Sequence, residues 1–411
     1  MGIWRNQRAG SGRAGTGSDD DRRELAGWRE LAGAERPEAR PTPSRAAYDA
    51  AVTQPLPLIL DVDTGIDDAM ALLYAAASPD AELVAVTCVA GNVPGEQVAA
   101  NTLAVLELAG RGDVEVALGR ESPLLRPLKT AEDTHGPRGI GYAVLPAARA
   151  RVSARSGVDL IAEEARRRPG ELTLVTLGPL TNLAAALQVE PRLPRLLRRV
   201  YVMGGAFRVQ GNTTPAAEWN MQVDPEAAWM IYRAWATALA ADPTIPRPVV
   251  LGLDVTERSP IRPDHVIRLA RLARLAGGRL DDSIARADGN EPFLPAVPVA
   301  GNPMVRFVAD ALRFYFEFHA KWDGFYGAHI HDPMVVAAAL DPALARTQAV
   351  FVDVETGSGP AGAMTVADFR GLTGKPPNVE VATELDGAEF LDRWVTRVGA
   401  LALALYPPDA G

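Results

Sequence analysis

From residue 56 onward, short apolar runs alternate with segments whose apolar positions recur every three or four residues. Residues 57–60, 82–90, 114–118, 172–177, 200–203 and 249–253 read as strands. The intervening stretches 69–77, 98–109, 158–167, 225–232, 263–276, 305–322 and 334–340 carry the helical period. Strands alternating with helices predict an α/β fold with an open, mostly parallel central sheet and helices on both faces. Three more strands, 350–354, 364–368 and 379–383, and a helix over 387–403 close the pattern. No repeat or interdomain linker interrupts it, so residues 55–411 are expected to form one catalytic domain. Residues 1–54 are different. Gly, Arg, Ser, Asp and Pro dominate there, and so few apolar side chains cannot offset the entropy of ordering, so a disordered tail is expected.

The stretch Leu58-Ile59-Leu60-Asp61-Val62-Asp63-Thr64-Gly65-Ile66-Asp67-Asp68 sets four carboxylates directly after the first apolar run. Asp63 falls near the strand's carboxyl end, Thr64-Gly65 supplies a turn, and Asp67-Asp68 open the next helix, where a carboxylate caps free amides and meets the positive end of the dipole. Capping uses one or two of these groups at most. The others lie where open α/β sheets bind ligands, and crowded carboxylates there require shared protons or a hard cation such as Ca²⁺ or Mg²⁺.

Further polar groups follow other strands. Asn92 ends the second strand. Residues 119–142 form a long loop containing Thr134-His135-Gly136-Pro137-Arg138-Gly139, which reads either as a movable lid or as a passive surface loop. Thr181 and Asn182 are expected as helix caps, and the Leu177 carbonyl before them as a free strand-end oxygen. After the strand ending at Met203, a polar loop carries Asn212, Glu218, Trp219 and Asn220; amide and carboxylate side chains together suit a polyhydroxyl ligand such as a sugar. Asp224 is expected to cap a helix. His331-Asp332-Pro333 opens the helix at 334; Asp332 reads as an N-cap or a site residue, and His331 suits proton transfer near neutral pH.

Composition narrows the partners. With 42 Lys plus Arg against 51 Asp plus Glu, the formal charge is -9, which disfavours nucleic acid and leaves small neutral or cation-assisted ligands. No apolar run reaches the roughly 20 residues of a membrane helix, and the N-terminus lacks a signal-peptide core, so no membrane partner and a cytoplasmic location are expected. The single cysteine, Cys88, sits in a strand-like run and is expected in the core.

Seven ordered motifs carry a resemblance to a known family: LDVDTGIDDA, VAGN ending at Asn92, LGPLTN from Leu177, MGG from Met203, Asn-x5-Glu-x-Asn from Asn212, HDP from His331 and MTVADFRG near the end. Together they resemble the inosine-uridine-preferring nucleoside hydrolase family from about residue 57 to the C-terminus. The resemblance implies Ca²⁺-dependent hydrolysis of the N-glycosidic bond of ribonucleosides, with preference for pyrimidines or for no particular base. By that resemblance Asp63, Asp68, Asp332 and the Leu177 carbonyl hold Ca²⁺, with Asp63 as general base and Asp61 ordering the metal's surroundings. Asp67 and Asn220 would grip the ribose 2′- and 3′-hydroxyls, Asn92 the ribose or the attacking water, and Asn212 and Glu218 the 5′-hydroxyl, beside Met203 and Trp219. His331 would be the acid for the leaving base and His135 a lid residue over it. The family implies a homo-oligomer, dimer or tetramer.

The chain departs from the family pattern in a slightly longer loop between Met203 and Asn212, in Pro137-Arg138 after His135, and in Trp219 where phenylalanine is usual. Two other readings fit parts of the sequence. One is a catalytically silent nucleoside- or ribose-binding protein of the same fold. The other is a haloacid-dehalogenase-like phosphatase with Asp61 as nucleophile, which lacks a suitably placed lysine.

Overall fold

The first strand, β1 (Leu56–Val62), is buried from Leu58 onward on both faces, as a parallel strand covered by helices must be. A computed structural model describes residues 54–273 and 302–408. The expected N-terminal tail and the end of the helix proposed for 263–276 lie outside the described residues. Leu58, Leu60 and Val62 point into one core and Ile59 into the other, the alternation that a pleated strand imposes.

β1 pairs in parallel with β2 (Ala81–Cys88) on one side and β4 (Thr173–Thr176) on the other. With β3 (Glu115–Leu118), β5 (Arg199–Met203), β6 (Val249–Leu251), β7 (Ala345–Val354), β8 (Thr365–Asp368) and β9 (Val379–Leu385), the sheet runs β3-β2-β1-β4-β5-β6-β9-β7-β8. Every pair from β3 to β9 is parallel; β7 and β8 add an antiparallel edge. The open, mostly parallel sheet expected from the sequence is therefore present.

One face of the sheet is covered by α1 (Ile66–Ala76), α2 (Gly95–Leu108), α6 (Pro263–Leu272), α7 (Pro303–Trp322), α8 (His331–Leu340) and α9 (Gly387–Leu405). The other is covered by α3 (Gly157–Arg167), α4 (Thr181–Val189) and α5 (Pro225–Ala241). The chain moves from β1 outward through β2 and β3, then returns to β4 on β1's other side. That reversal opens a crevice between the carboxyl ends of β1 and β4. Cys88 is fully buried in this frame, as expected, and burial pushes its thiol up to about 12.

Candidate active site

Asp63 leaves β1 at this crevice, and its carboxylate lies where only glycine backbone can approach. A Cβ at Gly91 or Gly178, the residues following β2 and β4, would fall on its oxygens. The Asn92 backbone N–H donates to Asp63 Oδ2 at 2.8 Å. Asp68 folds back over the start of α1, accepting from the Gly65 N–H at 2.9 Å, the Asp63 N–H at 3.1 Å and the Asn92 side-chain amide at 3.2 Å. It is the capping carboxylate that the sequence anticipated. Asp67 stays uncapped by side-chain partners on α1 and turns toward α8.

The first turn of α8 brings Asp332 against these groups, because α8 packs on α1. Oxygens of Asp67, Asp68 and Asp332, all buried, lie within 4.8 Å of one another. Carboxyl-to-carboxyl hydrogen bonds link Asp68 with Asp63 and with Asp332. Burial first, then repulsion among the neighbours, raises Asp63, Asp67 and Asp332 well above the usual carboxylate range. Such a set ionises together only around a cation. Asn92 Oδ1 is buried beside it without a partner, a further oxygen for a hard ion. Asp332 thus joins the acidic cluster in place of capping its helix, and no side chain caps α8.

Asp61 lies one pleat back, fully buried. Its Oδ1 accepts from Thr87 Oγ1 at 2.6 Å and from the Asn182 amide at 2.8 Å, while Oδ2 has no partner. Burial pushes its carboxyl up to about 7. Thr181 and Asn182, expected as helix caps, do something else. Leu180 occupies the N-cap of α4 without a side-chain bond. Thr181 donates to Asp224 at 2.7 Å, and Asn182 bridges Asp61, the Cys88 carbonyl and the Arg120 N–H. The cause is burial: cross-strand partners claim both side chains before the local amides can. Asp224 does cap α5, through the Ala227 N–H.

The polar loop meets the acidic cluster in one cavity of about 690 Å³. Glu218 is buried and accepts from the Gly205, Asn220 and Met221 amides. Burial lifts its carboxyl while those three amides pull it back down. The Asn220 amide donates to the Leu177 carbonyl at 2.6 Å and reaches the Met203 carbonyl at 3.3 Å. Asn212 Oδ1 accepts from the Trp219 backbone, and the Trp219 indole N–H is buried without a partner. The strand ending in β6 stops at Leu251, not Leu253, and Asp254 in the following turn holds the Phe207 and Arg208 amides of the loop.

The far wall is aromatic. His135 closes a short helical turn, Glu132–His135, inside the long loop. It is buried, and its Nδ1 accepts the Ile66 N–H at 3.1 Å, so it sits over the start of α1 and lines the cavity. Burial pushes it down to about 3, so the ring is neutral. His331 Nδ1 lies 2.9 Å from Thr256 Oγ1, and burial, then the neighbouring imidazoles, hold it well below the ordinary histidine range. Tyr315, Phe318 and Trp322 from α7 complete this wall. Behind it, Phe325 stacks on His319 and Tyr326 packs edge-on against Phe316. Sequence reasoning overlooked Glu257, Tyr315, His319, Asp323 and His329, all of which line the cavity. The i, i+4 spacing of His319 and Asp323 on a long amphipathic helix was the signal that could have found two of them.

An acidic floor, a loop of amide and carboxylate side chains and an aromatic wall thus share one cavity. The sequence profile of the inosine-uridine preferring nucleoside hydrolases matches residues 58–392, and the chain belongs to that family. It is accordingly an N-glycosidase, of a metal-dependent family. It is 36% identical over 350 residues to the pyrimidine-specific ribonucleoside hydrolase RihA of Enterobacter sp. (strain 638), covering 85% of this chain and 99% of that one. To the RihA of Shewanella sp. (strain MR-7) it is 38% identical over 355 residues, covering 86% and 97%. Among solved structures, the purine-preferring ribonucleoside hydrolase from Gardnerella vaginalis superposes with a TM-score of 0.72 at 29% identity, covering 85% of this chain and 99% of that one. The plant nucleoside hydrolase PpNRh1 gives 0.70 at 29%, covering 84% and 100%. This membership overturns the phosphatase alternative, for which Asp61 is in any case too deeply buried to be a nucleophile. Among the described residues no helix is long and apolar enough to cross a membrane.

Proposed function

We propose that this chain hydrolyses the N-glycosidic bond of ribonucleosides in a Ca²⁺-dependent reaction that favours pyrimidine bases. The observation that carries the reading is the buried carboxylate cluster opening into the same cavity as the polar loop and the aromatic wall. Asp63, Asp68, Asp332 and the Leu177 carbonyl would hold the cation, with Asp67 adjoining. Bound Ca²⁺ supplies charge that acidifies water and orients vicinal hydroxyls. Asp63, held by the Asn92 N–H, takes the proton of the attacking water. Asp67, Asn92 and Asn220 engage the ribose 2′- and 3′-hydroxyls; Asn212, Glu218 and the unpartnered Trp219 indole N–H engage the 5′ end beside Met203. As the C1′–N bond breaks, the sugar gains oxocarbenium character, and the buried carboxylates stabilise it.

The leaving base then needs a proton. Thr256 Oγ1 donates to the Gly252 carbonyl at 3.2 Å, so it accepts from His331 Nδ1–H, and the lone pair of His331 is on Nε2. His331 therefore takes up a proton at Nε2 before passing it to the base. His135, whose Nδ1 accepts from Ile66, presents Nε2–H to the cavity as a neutral donor. Higher identity to the pyrimidine-specific relatives than to the purine-preferring structure supports the base preference.

The test is a nucleoside panel. Uridine and cytidine should exceed adenosine and guanosine in kcat/KM by about tenfold or more, one ring of contact being worth on the order of 1–3 kcal/mol. Purine nucleosides turning over faster would overturn the preference. The same reading assigns catalysis to residues 55–411 and expects a cytoplasmic homo-oligomer. Removing residues 1–50 should leave kcat/KM unchanged, and light scattering should give a mass of two or four chains.

A further inference from the structure

Four of the chain's five histidines line the cavity, so their hydrogen bonds decide what each can offer a ligand. Three are committed. His135 Nδ1 accepts from Ile66, and His331 Nδ1 donates to Thr256. His319 Nδ1 lies 2.6 Å from Asp323 Oδ2 and donates to that carboxylate, which leaves Nε2 to accept the backbone N–H of His329 at 3.4 Å. His329 alone has no hydrogen bond to either ring nitrogen among the described residues, and its Nδ1 is buried without a partner. Its ring stands edge-on to His319 and Phe325, each with centroids 5.1 Å away, and 6.1 Å from the His331 ring.

His329 is half-buried, and a ring nitrogen shut away from water with no partner in the protein is costly unless something in the cavity supplies one. The polar edge of a pyrimidine is such a partner. Resting on the hydrolase reading above, we propose that His329 reads the base: its uncommitted imidazole hydrogen-bonds the pyrimidine edge, while the His319–Asp323 pair fixes its backbone. Because neither nitrogen is engaged, the ring adopts whichever tautomer the base requires. It donates to a carbonyl of uracil or accepts from the amino group of cytosine, so both are held. Burial, the largest cause, pushes His329 down to about 4, in keeping with a neutral reader. His319 and Asp323 are positioning residues, since they act through His329.

The experiment compares kcat/KM for uridine, cytidine and 4-nitrophenyl β-D-ribofuranoside, whose leaving group has no pyrimidine edge. His329→Phe keeps a ring and removes both nitrogens. It should lower both nucleoside values about tenfold or more, mainly through KM, and leave the nitrophenyl riboside within about twofold. His329→Asn, whose amide can donate and accept, should recover part of the loss. Asp323→Asn should shift the nucleosides in the same direction. Equal losses on all three substrates, or no loss on any, would overturn the assignment while leaving the hydrolase reading intact. Wild-type protein inert toward all three would overturn the hydrolase reading, and this assignment with it.

Discussion

Asn182 shows how a side chain away from the ligand can carry the site. It joins Asp61 Oδ1, the Cys88 carbonyl and the Arg120 N–H, so replacing it with alanine removes three hydrogen bonds at once, leaving Asp61 with Thr87 and the Cys88 carbonyl with the Gly119 N–H. The expected outcome for Asn182→Ala is a loss of about 2–3 kcal/mol in denaturant unfolding, with weaker metal binding because Asp61 backs Asp63. An unchanged midpoint would mean that the three groups find other partners. From sequence alone Asn182 reads as a cap, because its position after Leu180 carries that signal and its distant partners leave no trace in the local pattern. The crowding of Asp61, Asp63, Asp67 and Asp68 was legible because four carboxylates after one buried strand exceed what helix capping can use. Asp332, opening a helix, reads equally as a cap until the fold sets it against them. His329 was invisible because only the tertiary arrangement shows that its ring lacks a partner.

At the level of elements, the crevice depends on two loops that must approach the end of β1 closely. Gly91 after β2 and Gly178 after β4 lie against the Asp63 carboxylate, and a methyl group at Gly91 would displace it. Gly91→Ala should therefore cut kcat by about 100-fold, the scale of an ångström of misplacement, with far-ultraviolet circular dichroism unchanged. Retained activity would show that the carboxylate position is not critical. The parallel strands were read from the sequence to within a few residues, since their apolar runs are buried on both faces. The β7–β8 edge was readable as strands but not as antiparallel, because direction is set by connections and not by local pattern. The long loop 119–142 offered no period, and its short turn, Glu132–His135, comes from packing over α1.

For the whole molecule, the acidic cluster makes stability, metal and pH interdependent. The folded-state carboxyl groups are raised above their unfolded values, with Asp61 at about 7. Between roughly pH 4 and 7 these carboxyl groups hold more protons in the metal-free folded chain than in the unfolded chain, and their contribution to stability falls as pH rises. The buried histidines, held low, act in the opposite direction below about pH 6.5. Added Ca²⁺ displaces the protons of the cluster, so it should raise the Tm of chelated protein more at pH 7.5 than at pH 5.5. A Ca²⁺-induced rise in Tm no larger at pH 7.5 than at pH 5.5 would contradict the cluster's assignment. The same groups stabilise a developing sugar cation only when ionised, so structure and activity share one requirement. The most direct measurement is ribose release from uridine by the full chain, before and after chelation and after Ca²⁺ is restored. The account predicts release that chelation abolishes and Ca²⁺ restores. Release that persists undiminished in fully chelated protein would contradict it.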